Sequence, residues 1–141
     1  MQNGMSRQYT GGLVNVDNGL INRDIFVAED IYRDELERIF PRSWLFVAHE
    51  SQIPENGDYI LGRMAEESVI VNRDRNGKLH VFLNNCRHRG MRVCRYDKGN
   101  TRKFMCPFHA WVFSDQGDLI GVPKLETGYH NELDKSEWGL I

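Results

Sequence analysis

The sequence predicts a mainly β fold, an antiparallel β sandwich or barrel preceded by an N-terminal helix. From Ser43 onward the chain breaks into short β-rich runs separated by turn residues, the texture of a small sandwich or barrel. Asn76-Gly77 falls between two such runs and signals a tight hairpin. Ahead of the β-rich part, Ala28 to Phe40 carries one apolar stripe at helical spacing.

Taken in order, Met1 to Gly12 is polar and reads as a loose lead-in. Leu13 to Phe26 has scattered apolar residues without a period and is expected to run extended. The helix follows, with Tyr32, Leu36, Ile39 and Phe40 on its apolar side and Asp30 as its N-cap. Arg33/Glu37 and Asp34/Arg38 are spaced to pair on the solvent side, and Pro41 ends the helix near Phe40. This is a packing helix. The expected strands are Trp44–Ala48, Tyr59–Arg63, Ser68–Arg73, Lys78–Leu83, Arg102–Met105, Trp111–Ser114 and Leu119–Val122. The turns between them include Pro54–Gly57, Asp74–Gly77, Lys98–Asn100 and Asp115–Gly117. Past Pro123 the pattern fades, with a short helical turn expected in Glu132–Trp138. The chain stops on the apolar Gly139-Leu140-Ile141, which reads as a cut.

Composition narrows the class. At 141 residues the chain suits one domain, and 40% hydrophobic with 27% charged residues is the mix of a soluble globular protein. A net charge of −2 carries no nucleic-acid signature, and no apolar run approaches the roughly 18 residues of a membrane span. The stretch MQNGMSRQYTGG is polar without a hydrophobic run, so no secretory leader is expected, and three cysteines are too few for a disulfide scaffold; a cytoplasmic, reducing location is expected.

The chemistry concentrates between Asn84 and Phe113. Cys86-x-His88 and Cys106-x-x-His109 are two Cys/His pairs with seventeen residues, Arg89 to Met105, between them. Each pair follows an expected strand, where a β scaffold carries its functional loops. Gly90 allows backbone to approach a bound ion, and Pro107 stiffens the second loop. Two thiolates and two imidazoles make a four-ligand metal site. Zinc is one candidate, but Cys₂His₂ zinc sites usually pair Cys with Cys and His with His along the chain. One Cys and one His from each loop suits a [2Fe–2S] cluster, with two Cys on one iron and two His on the other. Two ferric ions, two sulfides and two thiolates sum to zero charge, so the cluster accepts an electron more easily than an all-Cys one. Clusters with this mixed ligation have potentials of roughly −150 to +300 mV, against about −400 mV for plant-type ferredoxins. The remaining alternative is four unrelated core residues.

CRHRG followed by CPFHAW resembles the Rieske domain of the α (large) subunit of aromatic-ring-hydroxylating dioxygenases. The longer CRHRGMRVCRYDKGN resembles the biphenyl, benzene and polycyclic-aromatic branches, and DIYRDELERIF with SWLFVAHESQIPENGDY also resembles the family. The likeness runs from about Gly12 to Ile141. It departs at Ala110, where the family commonly has Gly; the loop is expected to tolerate the alanine. Rieske proteins of respiratory complexes carry a further Cys in each loop and bridge them; Met91 and Phe108 occupy those places here and exclude the bridge.

The resemblance implies a Rieske-type sandwich with two cluster-binding loops and a cluster held by Cys86, His88, Cys106 and His109. It implies an arm and helix over 1–42 that pack on a catalytic domain, the Rieske domain over 43–123, and the start of a connection over 124–141. It also implies electrons arriving from NADH through a reductase, a ferredoxin or both, and leaving by His109 to a mononuclear Fe(II) in a C-terminal domain outside this sequence. There, O₂ and an arene would give a cis-dihydrodiol, in an α3 or α3β3 oligomer. A stand-alone electron-transfer protein and part of a Rieske monooxygenase or demethylase are the alternative readings.

Several further residues stand out. Arg87, Arg89, Arg92, Arg95, Lys98, Arg102 and Lys103 form a basic patch, either a docking surface or a solvated loop, with Arg89 the foremost candidate for a structural or electrostatic role. Trp111 either shields the cluster or packs in the core. Cys94 reads as a buried free thiol, and His49, His80 and His130 as ordinary surface or strand histidines.

Overall fold

The structure, a computed structural model, describes residues 12–141 and divides into two units, the second being Leu45–Ile141. Apart from Gly12, the predicted lead-in lies outside the described residues.

In the first unit, β1 (Val14–Asn15) pairs antiparallel with β2 (Leu20–Ile21), and α1 (Asp24–Val27) follows. The expectation of an unbroken extended run fails because two asparagines turn the chain. Asn15 Oδ1 accepts from the N–H groups of Asp17 and Asn18 at 3.1 Å, and Asn22 Oδ1 accepts from Asp24 N–H at 2.9 Å. α2 spans Glu29–Arg38, shorter than predicted. Its N-cap is the extended Ala28, with Asp30 inside the first turn, where its charge still favours the helix dipole. Beyond Ile39 the chain tightens into a 3-10 turn, Phe40–Arg42, which accommodates Pro41 and its missing N–H. Ile31 is the buried residue of α2; Tyr32, Leu36 and Phe40 are half-buried and Ile39 is exposed. Arg33 pairs with Glu29 at 3.2 Å instead of with Glu37, while Arg38 reaches Asp34 at 3.7 Å as expected.

The second unit holds two antiparallel sheets. β3 (Asp58–Met64), β4 (Glu67–Arg73), β5 (Leu79–Leu83) and β6 (Lys98–Asn100) form one, ordered β5-β4-β3-β6. β7 (Lys103–Met105), β8 (Val112–Ser114) and β9 (Leu119–Gly121) form the other, with a register shift at Val112/Phe113. Alternation along β4 divides the core. Ile70 joins Tyr59, Phe104, Trp111, Phe113 and Leu119 between the sheets, while Val69 and Val71 pack with Ile53, Val47 and Ala48 on the other face. Trp44–Ala48 forms no ladder; only its Val47 and Ala48 pack on this cluster, and Trp44 and Phe46 are exposed. Lys98–Asn100, expected as a turn, is a strand beside β3 in which Gly99 faces Tyr59. A Cβ at Gly99 would lie 2.8 Å from the Tyr59 ring, so the glycine that reads as a turn in fact admits an aromatic side chain across the strand.

Charged groups tie the hairpin turn after β4 to the turn after β8. Asp115 accepts from Arg75 Nη2 at 2.8 Å and Nε at 3.2 Å; Asp74 accepts from His80 Nε2 at 3.0 Å and Gln116 Nε2 at 3.2 Å; Asn72 Nδ2 donates to the Asp115 carbonyl at 2.9 Å. Both carboxylates are fully buried and fully paired, which is the condition for keeping them there.

The chain after Pro123 is ordered against the sandwich. It forms α3 (Leu125–Tyr129), entered from the left-handed Lys124, and a 3-10 turn at Lys135–Glu137, within the predicted helical stretch. Tyr129, Leu133, Trp138 and Leu140 pack on the inter-sheet core. Leu140 N–H donates to the Gly117 carbonyl at 2.7 Å, and Leu83 N–H to the Ile141 carbonyl at 2.6 Å.

Candidate metal centre

The two Cys/His segments fold into twin loops despite their different spacing. In the first, Gly90 N–H donates to the Cys86 carbonyl at 2.8 Å and Cys86 N–H to the Met91 carbonyl at 2.8 Å. In the second, Ala110 N–H donates to the Cys106 carbonyl at 3.0 Å and Cys106 N–H to the Trp111 carbonyl at 2.8 Å. The fourth residue after each cysteine takes a positive φ, +72° at Gly90 and +54° at Ala110, which turns each loop back onto its cysteine. This explains the glycine preference at position 110: alanine is accommodated there, in a conformation that costs it about 1–2 kcal/mol.

The loops deliver their side chains as like pairs. Cys86 and Cys106 are 3% and 2% exposed and lie together in the inter-sheet core. Burial pushes the Cys86 thiol up; the His88 N–H aimed at its sulfur opposes that, the neighbouring Cys106 adds to it, and the Arg89 N–H opposes it further. His88 and His109 meet edge to face with ring centroids 4.7 Å apart. Both are half-buried, and burial first, then the charges of His109 and Arg89, lower the His88 pKa and favour the neutral imidazole that a metal ligand requires. His88 Nδ1 is buried with no hydrogen-bond partner. Among the described residues no three Cys, His, Asp or Glu side chains gather as ligands of one ion; the four donors stand two and two.

The walls of the site differ. His88 stacks on Trp111 at 4.8 Å with planes 12° apart, and Trp111 is 2% exposed. His109 is flanked instead by Phe108 at 3.9 Å, which is 59% exposed. Of the basic patch, Arg89, Arg92, Arg95, Lys98, Arg102 and Lys103 are exposed and join no ion pair among the described residues, whereas Arg87 is half-buried with its guanidinium 5.9 Å from the Trp138 ring centroid. Arg87 is thus the arginine held against an aromatic ring, although its Nε is buried without a hydrogen-bond partner, while the charge of Arg89 acts on His88. Cys94 is a buried free thiol, pushed up to about 11 by burial alone. His49 caps the 3-10 turn Glu50–Gln52, His80 belongs to the Asp74 cluster, and His130 caps α3.

Two contributors escape a linear reading. Asn84 is buried at the root of the first loop, where its Oδ1 accepts from Val93 N–H at 3.0 Å and Cys94 N–H at 2.8 Å, and its Nδ2 donates to the Cys94 carbonyl at 2.8 Å. It stands in for a missing strand partner along 93–94. Trp138 lies 50 positions from His88 and carried no spacing signal.

A small antiparallel β domain that presents two thiols and two imidazoles from twin loops is a metal-centre scaffold with paired soft and borderline ligands. Residues 43–134 match the Rieske [2Fe-2S] domain family, and the chain belongs to that family. The cofactor of these domains is a [2Fe–2S] cluster. The chain is 43% identical over 126 residues to the N,N-dimethyl phenylurea N-demethylase subunit alpha of Sphingobium sp. (strain YBL2), covering 89% of this chain and 28% of that protein. It is 46% identical over 129 residues to the biphenyl 2,3-dioxygenase subunit alpha of Rhodococcus jostii (strain RHA1), covering 92% and 28%. The crystal structure of naphthalene 1,2-dioxygenase from Rhodococcus sp. bound to indole matches with a TM-score of 0.82 and 46% identity over 86% of this chain and 28% of that one. The chain thus spans less than a third of the length of the curated relatives it matches. The mainly β, antiparallel fold expected from the sequence is the one observed and the one this structure shares.

Proposed function

We propose that Cys86, His88, Cys106 and His109 hold a [2Fe–2S] cluster, and that this chain is the electron-transfer domain of the α subunit of an aromatic-ring-hydroxylating dioxygenase. The observation that carries the ligand assignment is the pairing of the donors. A lone tetrahedral ion needs all four at one point, whereas two irons with two ligands each need a thiol pair and an imidazole pair. The buried, unpartnered His88 Nδ1 supplies a lone pair where one is needed. When bound, the cluster takes up and gives back one electron.

The residues divide the remaining work. Cys86 and Cys106 anchor the inner side in the core. The half-buried imidazoles form the outer side, with His109 beside the exposed Phe108 as the edge for electron exit. The exposed cations Arg89, Arg92, Arg95, Lys98, Arg102 and Lys103 suit an acidic ferredoxin or reductase as donor. The similarity to biphenyl and naphthalene dioxygenases supports an α3 or α3β3 assembly acting on an arene with O₂ at a mononuclear iron outside these 141 residues, and a cytoplasmic location. Among the described residues, no helix is long and apolar enough to cross a membrane. The N-demethylase relative favours a second reading, in which the same electron delivery serves N-demethylation.

Purified anaerobically, the chain is expected to bind about two irons and two acid-labile sulfides. His109→Ala and Cys106→Ala remove the red-brown Rieske spectrum, and Cys94→Ala keeps it. Stoichiometric zinc without visible absorbance would overturn the assignment. In the longer subunit that contains this domain, supplied with NADH and its donor, a cis-dihydrodiol with both oxygens from ¹⁸O₂ supports the dioxygenase, and formaldehyde from an N-methyl substrate supports the demethylase.

A further inference from the structure

We propose that Trp111, Trp138 and Arg87 act as a positioning stack for His88, so that the segment after Pro123 is a working part of the site. This inference rests on the ligand assignment above. An imidazole turns freely about its last bond unless something fixes its plane, and ligand histidines are usually fixed by a hydrogen bond on the second ring nitrogen. His88 has no such bond: neither ring nitrogen is hydrogen-bonded among the described residues, and Nδ1 is buried without a partner. Its plane is set by ring contacts instead. One face lies on Trp111, 4.8 Å away and 12° from parallel, and His109 meets it edge-on at 4.7 Å.

Trp111 is itself held. Trp138 meets it edge to face at 5.8 Å and 83°, and Tyr129 at 6.3 Å and 64°. The guanidinium of Arg87, the residue between Cys86 and His88, lies 5.9 Å from the Trp138 centroid, a cation–π contact that returns the chain of contacts to the first loop. The path runs from loop to tryptophan to tryptophan to ligand and closes on the residue beside the ligand. The asymmetry with His109, whose neighbour Phe108 is exposed, makes His88 the fixed imidazole of the pair.

The test uses the full chain, reconstituted anaerobically with iron and sulfide. Iron and sulfide per chain, electron paramagnetic resonance g-values of the reduced protein, and the half-life of visible absorbance in air are measured for Trp111→Leu, Trp111→Phe, Trp138→Leu and Trp138→Phe. The leucine variants are expected to shift the g-values and lose the cluster about 10-fold faster, and the phenylalanine variants, which keep a ring on the stack, to recover most of the difference. Should Trp111→Leu not fold, the less buried Trp138 pair decides alone. Unchanged g-values with half-lives within about twofold of wild type in a loaded Trp138→Leu protein overturn the inference alone; leucine and phenylalanine variants equally impaired also overturn it, since mere loss of core volume would do that. A wild-type chain that takes up no iron and sulfide overturns the ligand assignment and this inference with it.

Discussion

Gly90 and Ala110 occupy equivalent places in the two loops: each has a positive φ, and each N–H donates to the carbonyl of the cysteine four residues earlier. Only one of them is a glycine. Ala110→Gly relieves a left-handed alanine, worth about 1–2 kcal/mol, and gives back about 0.4–1 kcal/mol in unfolded-chain entropy. A net stabilisation of roughly 0.5–1 kcal/mol is expected from urea unfolding. Gly90→Ala goes the other way, because its Cβ would also crowd Asn85 Oδ1 at 3.3 Å.

Asn84→Ala should be among the most damaging single changes at the site. It strips partners from the N–H groups of Val93 and Cys94 and from the Cys94 carbonyl, in a place water does not reach. Leaving such groups unpaired costs about 1–3 kcal/mol each before relaxation, so a loss of roughly 2–4 kcal/mol is expected in chemical unfolding. A loss under about 1 kcal/mol would show that the 93–94 segment finds other partners.

Asp74 makes the domain sensitive to acid. The hydrogen bond from His80 is the largest cause that holds its pKa down at about 2, with burial opposing and Lys78 N–H, Asn76 N–H and Gln116 assisting. A depressed carboxylate contributes stability that is fully present above its unfolded pKa and is lost as pH falls through the folded one. Between about pH 4 and 2 the unfolded chain binds more protons, and stability falls with pH. His80→Ala should move the acid-unfolding midpoint, followed by tryptophan fluorescence, to higher pH; an unmoved midpoint would remove His80 from that role.

Cys94 should be chemically silent. With its thiol pushed up to about 11 and its side chain buried, it carries almost no thiolate at neutral pH. In the iron-loaded chain a thiol reagent at pH 7 is expected to label nothing until denaturant is added, whereas rapid labelling that Cys94→Ala abolishes would place the residue at the surface.

What could be read along the chain and what could not divide on physical lines. The two Cys/His pairs were legible because side-chain type and local spacing suffice, and the fold does bring them together as two pairs. Most strands were legible from alternation and turn residues. β6 was not, since Gly99 signals a turn until the Tyr59 ring across the strand is seen. Trp44–Ala48 has strand composition but no strand to bond with. Ile31, rather than the neighbouring stripe from Tyr32, is the buried residue of α2. Asn84 and Trp138 act through partners that local periodicity does not reach.

The cluster of Asp74, His80, Arg75 and Asp115 sits where β4 and β8 end, whereas the twin loops lie beyond the opposite ends of β5 and β8. With the proposed cluster bound, the sandwich would be stapled twice, by the Arg75–Asp115 ion pair at one pole and by the Cys/His loops at the other. Stripping the iron would then unfasten a single pole. Amide exchange in the emptied protein should quicken around 86–95 and 106–111 while β4 and the 74–78 turn stay closed, giving a hinged, refillable receptacle instead of an unfolded chain.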